Sequence, residues 1–110
     1  MRKLNNTFLL CLLMFFPGAM VFALSGNAIY TQSCIACHGA NGKGAVSGAP
    51  DFTSKNGPLS KSDSVLLQHT IEGYQSPGSP MAMPPRGGNS NLTNTDLQKV
   101  LIYIRQKFGK

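Results

Sequence analysis

The sequence contains no tryptophan and only 4 acidic residues, against 10 lysines and arginines. The carboxylates Asp51, Asp63, Glu72 and Asp96 are widely spaced, so no paired acid and base stand out for catalysis. The basic residues are scattered as well, without the interleaved aromatic side chains that a base-stacking surface requires. These shortages argue against a nucleic-acid-binding protein and give no support to an enzyme.

The apolar runs of the chain are also short. The longest, Phe8–Phe16, has 9 residues, whereas a membrane-spanning helix needs about 20. Two basic residues precede this run and a Pro-Gly pair ends it, followed by small or modest side chains at Val21 and Ala23. This order predicts a cleaved secretory signal peptide over residues 1–23 and a mature domain over residues 24–110. Apolar residues resume after the Pro-Gly pair, which leaves an uncleaved anchor as the alternative.

Cysteine is scarce, and removal of the leader changes its count. Cys11 lies in the predicted signal peptide, so the mature domain keeps only Cys34 and Cys37. A disulfide between these two would close a loop of a few residues and would stabilise the fold little. A domain of 110 − 23 = 87 residues buries only part of its surface and often needs additional support. We therefore expect something other than a disulfide to fill the core.

Three helical segments, separated by Gly- and Pro-rich loops, are predicted in the mature domain. The first begins near Gly26, with Ser25 as its cap, and runs towards Cys34. The second is capped by Ser60 together with Asp63, continues through Val65 to Ile71 and ends at Gly73. The third is capped by Thr93, has Asp96 at its third position and extends to Phe108. The last helix carries one apolar stripe of period 3.6, formed by Leu97, Val100, Leu101, Ile104 and Phe108. No strand-like alternation or internal repeat stands out. The pattern predicts an all-α fold whose loops wrap a further group.

The chemistry is concentrated in the run Cys34-Ile35-Ala36-Cys37-His38. A Cys-x-x-Cys-His run is the attachment site of c-type haem. One helical turn brings the two thiols to the two vinyl groups of the porphyrin, and His38 then offers an imidazole nitrogen to the iron. A thioredoxin-like pair would need a βαβ context, and a zinc site with His69 would need histidine ligands spaced further from Cys37. A plain disulfide explains neither His38 nor the long loops.

These features resemble the monohaem cytochrome c family over nearly all of the mature chain. The family places a glycine eight residues before its first haem cysteine and an aromatic residue four before it, which match Gly26 and Tyr30. The resemblance implies that this pair packs against Tyr103, and that the Pro50 carbonyl accepts a hydrogen bond from the His38 imidazole. It also implies a cytochrome c-like fold, with three main helices and long loops wrapped around one covalently attached haem c.

The run Ala82-Met83-Pro84-Pro85-Arg86-Gly87-Gly88 looks like the methionine-ligand segment of small bacterial periplasmic cytochromes c. The resemblance implies that Met83 is the second axial ligand, because the family's ligand directly precedes the Pro-Pro pair. Proline after Met83 also restricts its backbone to extended angles, whereas Met81 is followed by the unconstrained Ala82. Met81 remains the competing ligand, and His69 is the candidate for a bis-histidine iron.

An iron with both axial positions filled has no open site for substrate, so the predicted function is single-electron transfer rather than catalysis. The resemblance implies a periplasmic carrier between redox protein partners, with no small-molecule substrate, that meets membranes only through partner complexes. The mature net charge, 8 − 4 = +4, favours weak, salt-sensitive encounters with acidic surfaces. Two alternatives stay open: a haem-based sensor or ligand-binding domain, and an electron-transfer subunit of a periplasmic dehydrogenase or oxidase.

Because the chain has no tryptophan to donate to a haem propionate, Arg86 is a candidate for that role.

Overall fold

The computed structural model describes residues 23–110 together with Met14, Pro17 and Gly18. The predicted signal peptide therefore lies almost entirely outside the described residues, as does Cys11. Within residues 23–110, three main helical segments are joined by long loops, and an isolated antiparallel bridge between Tyr74 and Met83 stands in place of any β-strand. None of these helices is long and apolar enough to cross a membrane. The predicted all-α arrangement is confirmed.

The N-terminal helix begins at Gly26, because the Ser25 hydroxyl accepts a hydrogen bond from the Ala28 amide at 3.1 Å, as an N-cap does. This helix consists of an α-helical turn, a π-helical turn and a second α-helical turn, with the bounds Gly26–Ile29, Tyr30–Cys34 and Ile35–His38. The helix thus extends beyond the predicted end near Cys34 and contains the whole Cys-x-x-Cys-His run. The π-helical turn, a rare form that is frequent at functional sites, leads directly into that run.

The middle helix spans Asp63–Glu72 and ends at Gly73, as predicted. Its N-cap is Ser62 rather than the predicted Ser60. The Ser60 hydroxyl donates instead to the Gly57 carbonyl at 2.7 Å, within a short 3₁₀ turn, and is therefore not available to cap the helix.

The C-terminal helix spans Asn94–Phe108 and is fixed at its start by the predicted capping box. The Thr93 hydroxyl accepts from the Asp96 amide at 3.1 Å, and the Asp96 carboxylate accepts from the Thr93 amide at 2.9 Å. Four of the five residues of the predicted stripe are buried, and Leu101 is half-buried. The buried core is formed by Ile29, Tyr30, Phe52, Leu92, Leu97, Val100, Ile104 and Phe108.

The N- and C-terminal helices meet at Gly26. A Cβ atom at this position would clash with the Lys99 carbonyl oxygen and would lie 2.8 Å from the Tyr103 Cβ, so the close approach requires glycine. The rings of Tyr30 and Tyr103 pack beside this contact with their centroids 5.5 Å apart, in a tilted arrangement typical of aromatic pairs. The association of Gly26 and Tyr30 with Tyr103, which the resemblance implied, is confirmed.

Candidate functional site

One cleft, bounded by all three helices and the two long loops, brings the predicted site residues together. It encloses about 1290 Å³, part of which is open to solvent. All four predicted site residues line this cleft, and so do both alternative ligands; these are Cys34, Cys37, His38 and Met83, with Met81 and His69. The fold therefore gathers side chains that lie up to 83 − 34 = 49 positions apart.

Cys34 and Cys37 lie in the last turns of the N-terminal helix and are not joined in a disulfide. Cys34 is half-buried against the core, whereas Cys37 is exposed. Before any attachment, burial and the neighbouring Cys37 raise the pKa of the Cys34 thiol to about 11, so this thiol is protonated at neutral pH. Two unlinked thiols at the wall of one apolar cleft are the donor set that two thioether bonds to a porphyrin require.

His38 is buried at the end of the N-terminal helix, and its ring stacks on Phe52 with the centroids 4.6 Å apart and the planes at 16°. Burial lowers the pKa of this imidazole, which favours the neutral form that binds metals. The Nδ1 atom is buried and has no hydrogen-bond partner. The hydrogen bond to the Pro50 carbonyl that the resemblance implied is therefore not formed, although Pro50 lines the same cleft.

Hydrogen bonds hold the chain in place immediately after His38. Gly39 ends the helix with a φ of 84°, a conformation that glycine adopts without strain, and the Gly44 amide donates to the His38 carbonyl at 2.9 Å. The Tyr30 hydroxyl donates to the Gly39 carbonyl at 2.6 Å. Burial raises the pKa of Tyr30 to about 12, so the phenol stays protonated and remains a donor. The end of the helix that carries His38 is thus fixed from both sides.

Met83 is held at the cleft by its backbone. The Tyr74 amide donates to the Met83 carbonyl at 3.1 Å, and the Met83 amide donates to the Tyr74 carbonyl at 2.8 Å. Pro84 follows in an extended conformation, which the next residue, Pro85, favours. Met81 also lines the cleft, but its side chain is 54% exposed.

His69 lines the cleft and has a packing role of its own. Its ring stacks on Tyr74 with the centroids 3.7 Å apart and the planes at 7°. On the same tyrosine, the Lys61 ammonium lies 5.1 Å from the ring centroid, within the range of a cation–π contact. The stack explains the position of His69 without a metal.

Arg86, the candidate for a haem propionate, makes its hydrogen bonds away from the cleft. Its guanidinium donates to the Leu92 carbonyl at 2.8 Å and to the Asn94 side-chain oxygen at 2.7 Å, and it is absent from the cleft wall. Its backbone is left-handed, with a φ of 55°, which is uncommon outside glycine. This conformation directs the side chain to the start of the C-terminal helix, so Arg86 fastens the methionine loop to that helix.

Two residues of the site, Phe52 and Tyr74, were not found by the sequence reasoning. Phe52 stacks on His38, and Tyr74 pairs with Met83 through the backbone. Each is the sole aromatic residue of a long loop rich in glycine, proline and polar side chains. A single aromatic residue in such a loop is the signal that indicates burial against the group that the loop covers.

Known proteins resemble this chain over most of its length. The family described as cytochrome C oxidase, cbb3-type, subunit III, matches residues 22–104. Cytochrome c-555 of Chlorobaculum thiosulfatiphilum is 32% identical over 85 residues, which cover 74% of this chain and 92% of the relative. Cytochrome c-555 of Chlorobaculum tepidum is 31% identical, with 74% of this chain and 73% of the relative covered. Cytochrome c-555 of Prosthecochloris aestuarii is 27% identical, with 73% and 82% covered.

The family match and the relatives indicate a haem c protein, and the residues that form the cleft fit that group. The matched residues include all three helices and both loops except for the end of the last helix. The two cysteines, the neutral imidazole and the apolar walls fit a covalently attached haem c. The chain therefore belongs to the monohaem cytochrome c family, and it is an electron-transfer protein that carries haem c and exchanges electrons with redox protein partners rather than an enzyme.

Proposed function

We propose that residues 24–110 form a periplasmic single-electron carrier in which Cys34 and Cys37 hold one haem c through thioether bonds, and His38 and Met83 are the axial ligands. The observation that carries the proposal is that these four side chains line one cleft. Three of them come from the end of one helix, and Met83 comes from a loop 83 − 38 = 45 positions later. A haem held in this way supplies a ferrous–ferric couple at an iron without an open coordination position.

The walls of the cleft define the surroundings in which the electron is exchanged. The C-terminal helix contributes apolar side chains that exclude water and lower the local polarity, two factors that set the reduction potential of a haem. These side chains are Leu97, Val100, Leu101 and Ile104. The backbone hydrogen bonds between Met83 and Tyr74 keep the Met83 side chain at the cleft, and Pro84 restricts the backbone of the segment that presents it.

The charge of the mature chain supports weak, electrostatically steered encounters with redox partners. Residues 24–110 carry 10 − 2 = 8 basic and 4 acidic side chains, a net charge of +4. The two haem propionates reduce this to about +2, which still favours partners with acidic surfaces. Residues 1–23 have the order of a signal peptide, which supports export to the periplasm, where these encounters would take place.

Mass and extraction test the attachment of the haem and the removal of the leader. The purified periplasmic protein is expected to have the mass of residues 24–110 plus one haem, and to keep its colour through denaturation and acid-acetone extraction, because thioethers survive both treatments. The double variant Cys34→Ala, Cys37→Ala is the control and should lose the pigment. Release of the pigment from the wild-type protein would contradict the covalent site, whereas a retained leader would contradict only the cleavage.

The description of the matching family favours a second candidate, an electron-transfer subunit of a periplasmic oxidase or dehydrogenase. Such a subunit would use the same haem but would not diffuse as a free shuttle. Size-exclusion chromatography of native periplasm and solubilised membranes separates the two candidates. Elution of all the covalent haem at the size of a monomer supports the shuttle, whereas co-elution with a large oxidoreductase supports the subunit.

A further inference from the structure

The wall of the haem cleft contains a lysine, Lys61. Of the residues that line the cleft within the described chain, Lys61 alone is of a type that is fully charged at neutral pH. Its ammonium group lies 5.1 Å from the centroid of the Tyr74 ring, which also lines the cleft and stacks on His69. The ion pair within residues 23–110 joins Arg105 to Asp63 and does not involve Lys61. Lys61 therefore brings to the cleft a positive charge that no carboxylate of the described residues pairs with.

The backbone around Lys61 is held by Arg105 of the C-terminal helix. The guanidinium Nη2 donates to the Lys61 carbonyl at 2.7 Å, and Nη1 donates to the Leu59 carbonyl at 2.9 Å. Its Nε donates to the Asp63 carboxylate at 2.6 Å. Because the guanidinium is planar and rigid, these three bonds together fix residues 59–63 relative to the C-terminal helix. Leu59 and Lys61 both line the cleft, so Arg105 fixes part of the cleft wall.

A carboxylate beside apolar walls is costly unless it is paired, and a haem has two carboxylates. Arg86, which the sequence suggested as their partner, makes its hydrogen bonds elsewhere. Resting on the proposed function, we propose that Lys61 is the counter-charge of a haem carboxylate and that Arg105 is the positioning residue that keeps Lys61 at the cleft. The charge of Lys61 then offsets a negative charge near the iron that would otherwise stabilise the ferric state.

Four titratable or charged groups surround Lys61 and bear on any test. Tyr74 and His69 stand at the cleft, and Arg105 and Asp63 hold the backbone of the segment. Tyr74 and His69 are unchanged in every variant below. Any contribution of their protonation is therefore common to all the proteins compared.

Redox titration of the holoproteins over a range of pH tests the pairing. Lys61→Gln is expected to lower the reduction potential at neutral pH, because an unpaired carboxylate favours the more positive ferric iron. The potential of this variant should also begin to depend on pH at a higher pH than in the wild type, since a carboxyl group without an ammonium partner takes up its proton more readily.

Two control variants separate the pairing from a change in total charge. Lys61→Arg keeps the positive charge and should retain the wild-type potential and its pH dependence. Lys55→Gln removes the same charge as Lys61→Gln, but from an exposed lysine that does not line the cleft. It should leave both the potential and its pH dependence unchanged.

Arg105→Lys tests the positioning role, because it keeps the charge and loses the planar fork. It is expected to shift the potential in the same direction as Lys61→Gln, but by less. In the double variant Arg105→Lys, Lys61→Gln, the shift should equal that of Lys61→Gln alone, since Arg105 acts through Lys61. If Arg105→Lys is not recovered with haem, Asp63→Asn takes its place, and its shift should differ between proteins with and without Lys61.

Three results overturn the proposal: an unchanged potential and pH dependence in Lys61→Gln, an equal change in Lys55→Gln, or additive shifts in the double variant. A wild-type protein without covalent haem contradicts the proposed function instead, before any variant is compared.

Discussion

Two methionines, two positions apart, reach the same cleft, and their backbones distinguish them. Met83 is paired with Tyr74 on one side and followed by Pro84 on the other, whereas Met81 is 54% exposed and followed by Ala82. A side chain on a fixed backbone loses less conformational entropy when it becomes a ligand. This difference is the physical reason for choosing Met83.

Substitution of each methionine tests the choice. Met83→Ala is expected to abolish the weak far-red absorption band of the ferric protein that reports an iron–methionine bond, and to open the ferrous iron to carbon monoxide. Met81→Leu, the control at the neighbouring position, is expected to keep the band and to exclude carbon monoxide. Reversed results would identify Met81 as the ligand. A double variant that remains six-coordinate in the absence of added ligands would point to His69.

At the scale of secondary structure, the position of the site depends on how closely two helices approach. Gly26 brings the N-terminal helix against Lys99 and Tyr103, and the same helix carries the two cysteines of the proposed haem attachment at its other end. If the crossing point of the N- and C-terminal helices shifted, the cysteines would move relative to the apolar wall that the C-terminal helix contributes. Substitutions at Gly26 should affect the whole site from a distance.

Gly26→Ala is expected to destabilise the holoprotein by about 1–3 kcal/mol, because the added methyl group overpacks the contact with Lys99 and Tyr103. Asn27→Ala is the control, since Asn27 is exposed in the same turn and its change should cost no more than about 0.5 kcal/mol. Urea unfolding followed by circular dichroism measures both variants. Equal stability of the two variants would show that the crossing tolerates a side chain at position 26.

The capping box of the C-terminal helix predicts a pH dependence of stability. Hydrogen bonds from the Thr93 amide and then from its side chain hold the pKa of Asp96 below the usual range. The unfolded carboxyl binds a proton first as the pH falls, so the contribution of Asp96 is complete above about pH 4 and is lost as the pH falls through the lower pKa of the folded state. Asp96→Asn should therefore be less stable than wild type at neutral pH, and the difference should shrink on acidification. Thermal unfolding at several pH values measures it, and a difference that does not depend on pH would contradict the assignment.

At the scale of the whole molecule, the core and the haem cleft share their walls. Leu97, Val100 and Ile104 belong to the buried core and also line the cleft. Removal of the group that fills the cleft would expose one face of a small core. In a domain of this size, the free energy of binding such a group is a large part of the free energy of folding.

The double variant Cys34→Ala, Cys37→Ala, produced without haem, is therefore expected to be largely unfolded. Far-ultraviolet circular dichroism should show loss of most helical signal relative to the holoprotein. The single variants, each able to keep one thioether, provide the comparison, and we expect them to retain helicity in proportion to bound haem. Full native helicity of the haem-free double variant would show that the polypeptide alone forms a sufficient core.

The helices could be predicted from the sequence because their signals are local. The caps Ser25 and Thr93 and the apolar stripe need only neighbouring residues to act, whereas the choice of Ser62 over Ser60 depended on the turn that uses the Ser60 hydroxyl. The Cys-x-x-Cys-His run predicted a covalently attached haem for the same reason, because its signal lies within five neighbouring residues.

Contacts between distant segments could not be predicted in this way. The hydrogen-bond partners of Arg86 depend on its left-handed backbone, which no sequence pattern predicts. The stacking of Phe52 on His38 joins residues 52 − 38 = 14 positions apart and exists only because the intervening loop turns back on the helix. Both features follow from the folded arrangement of the loops rather than from sequence neighbours.

The crossing at Gly26 also imposes an order of events in time. Lys99 follows Gly26 by 99 − 26 = 73 positions, so this contact cannot form until nearly the whole domain has been made available. In the proposed export from the N-terminus, the cysteine pair is translocated before the last helix. The proposed thioether bonds can therefore form before the final helix docks on the haem.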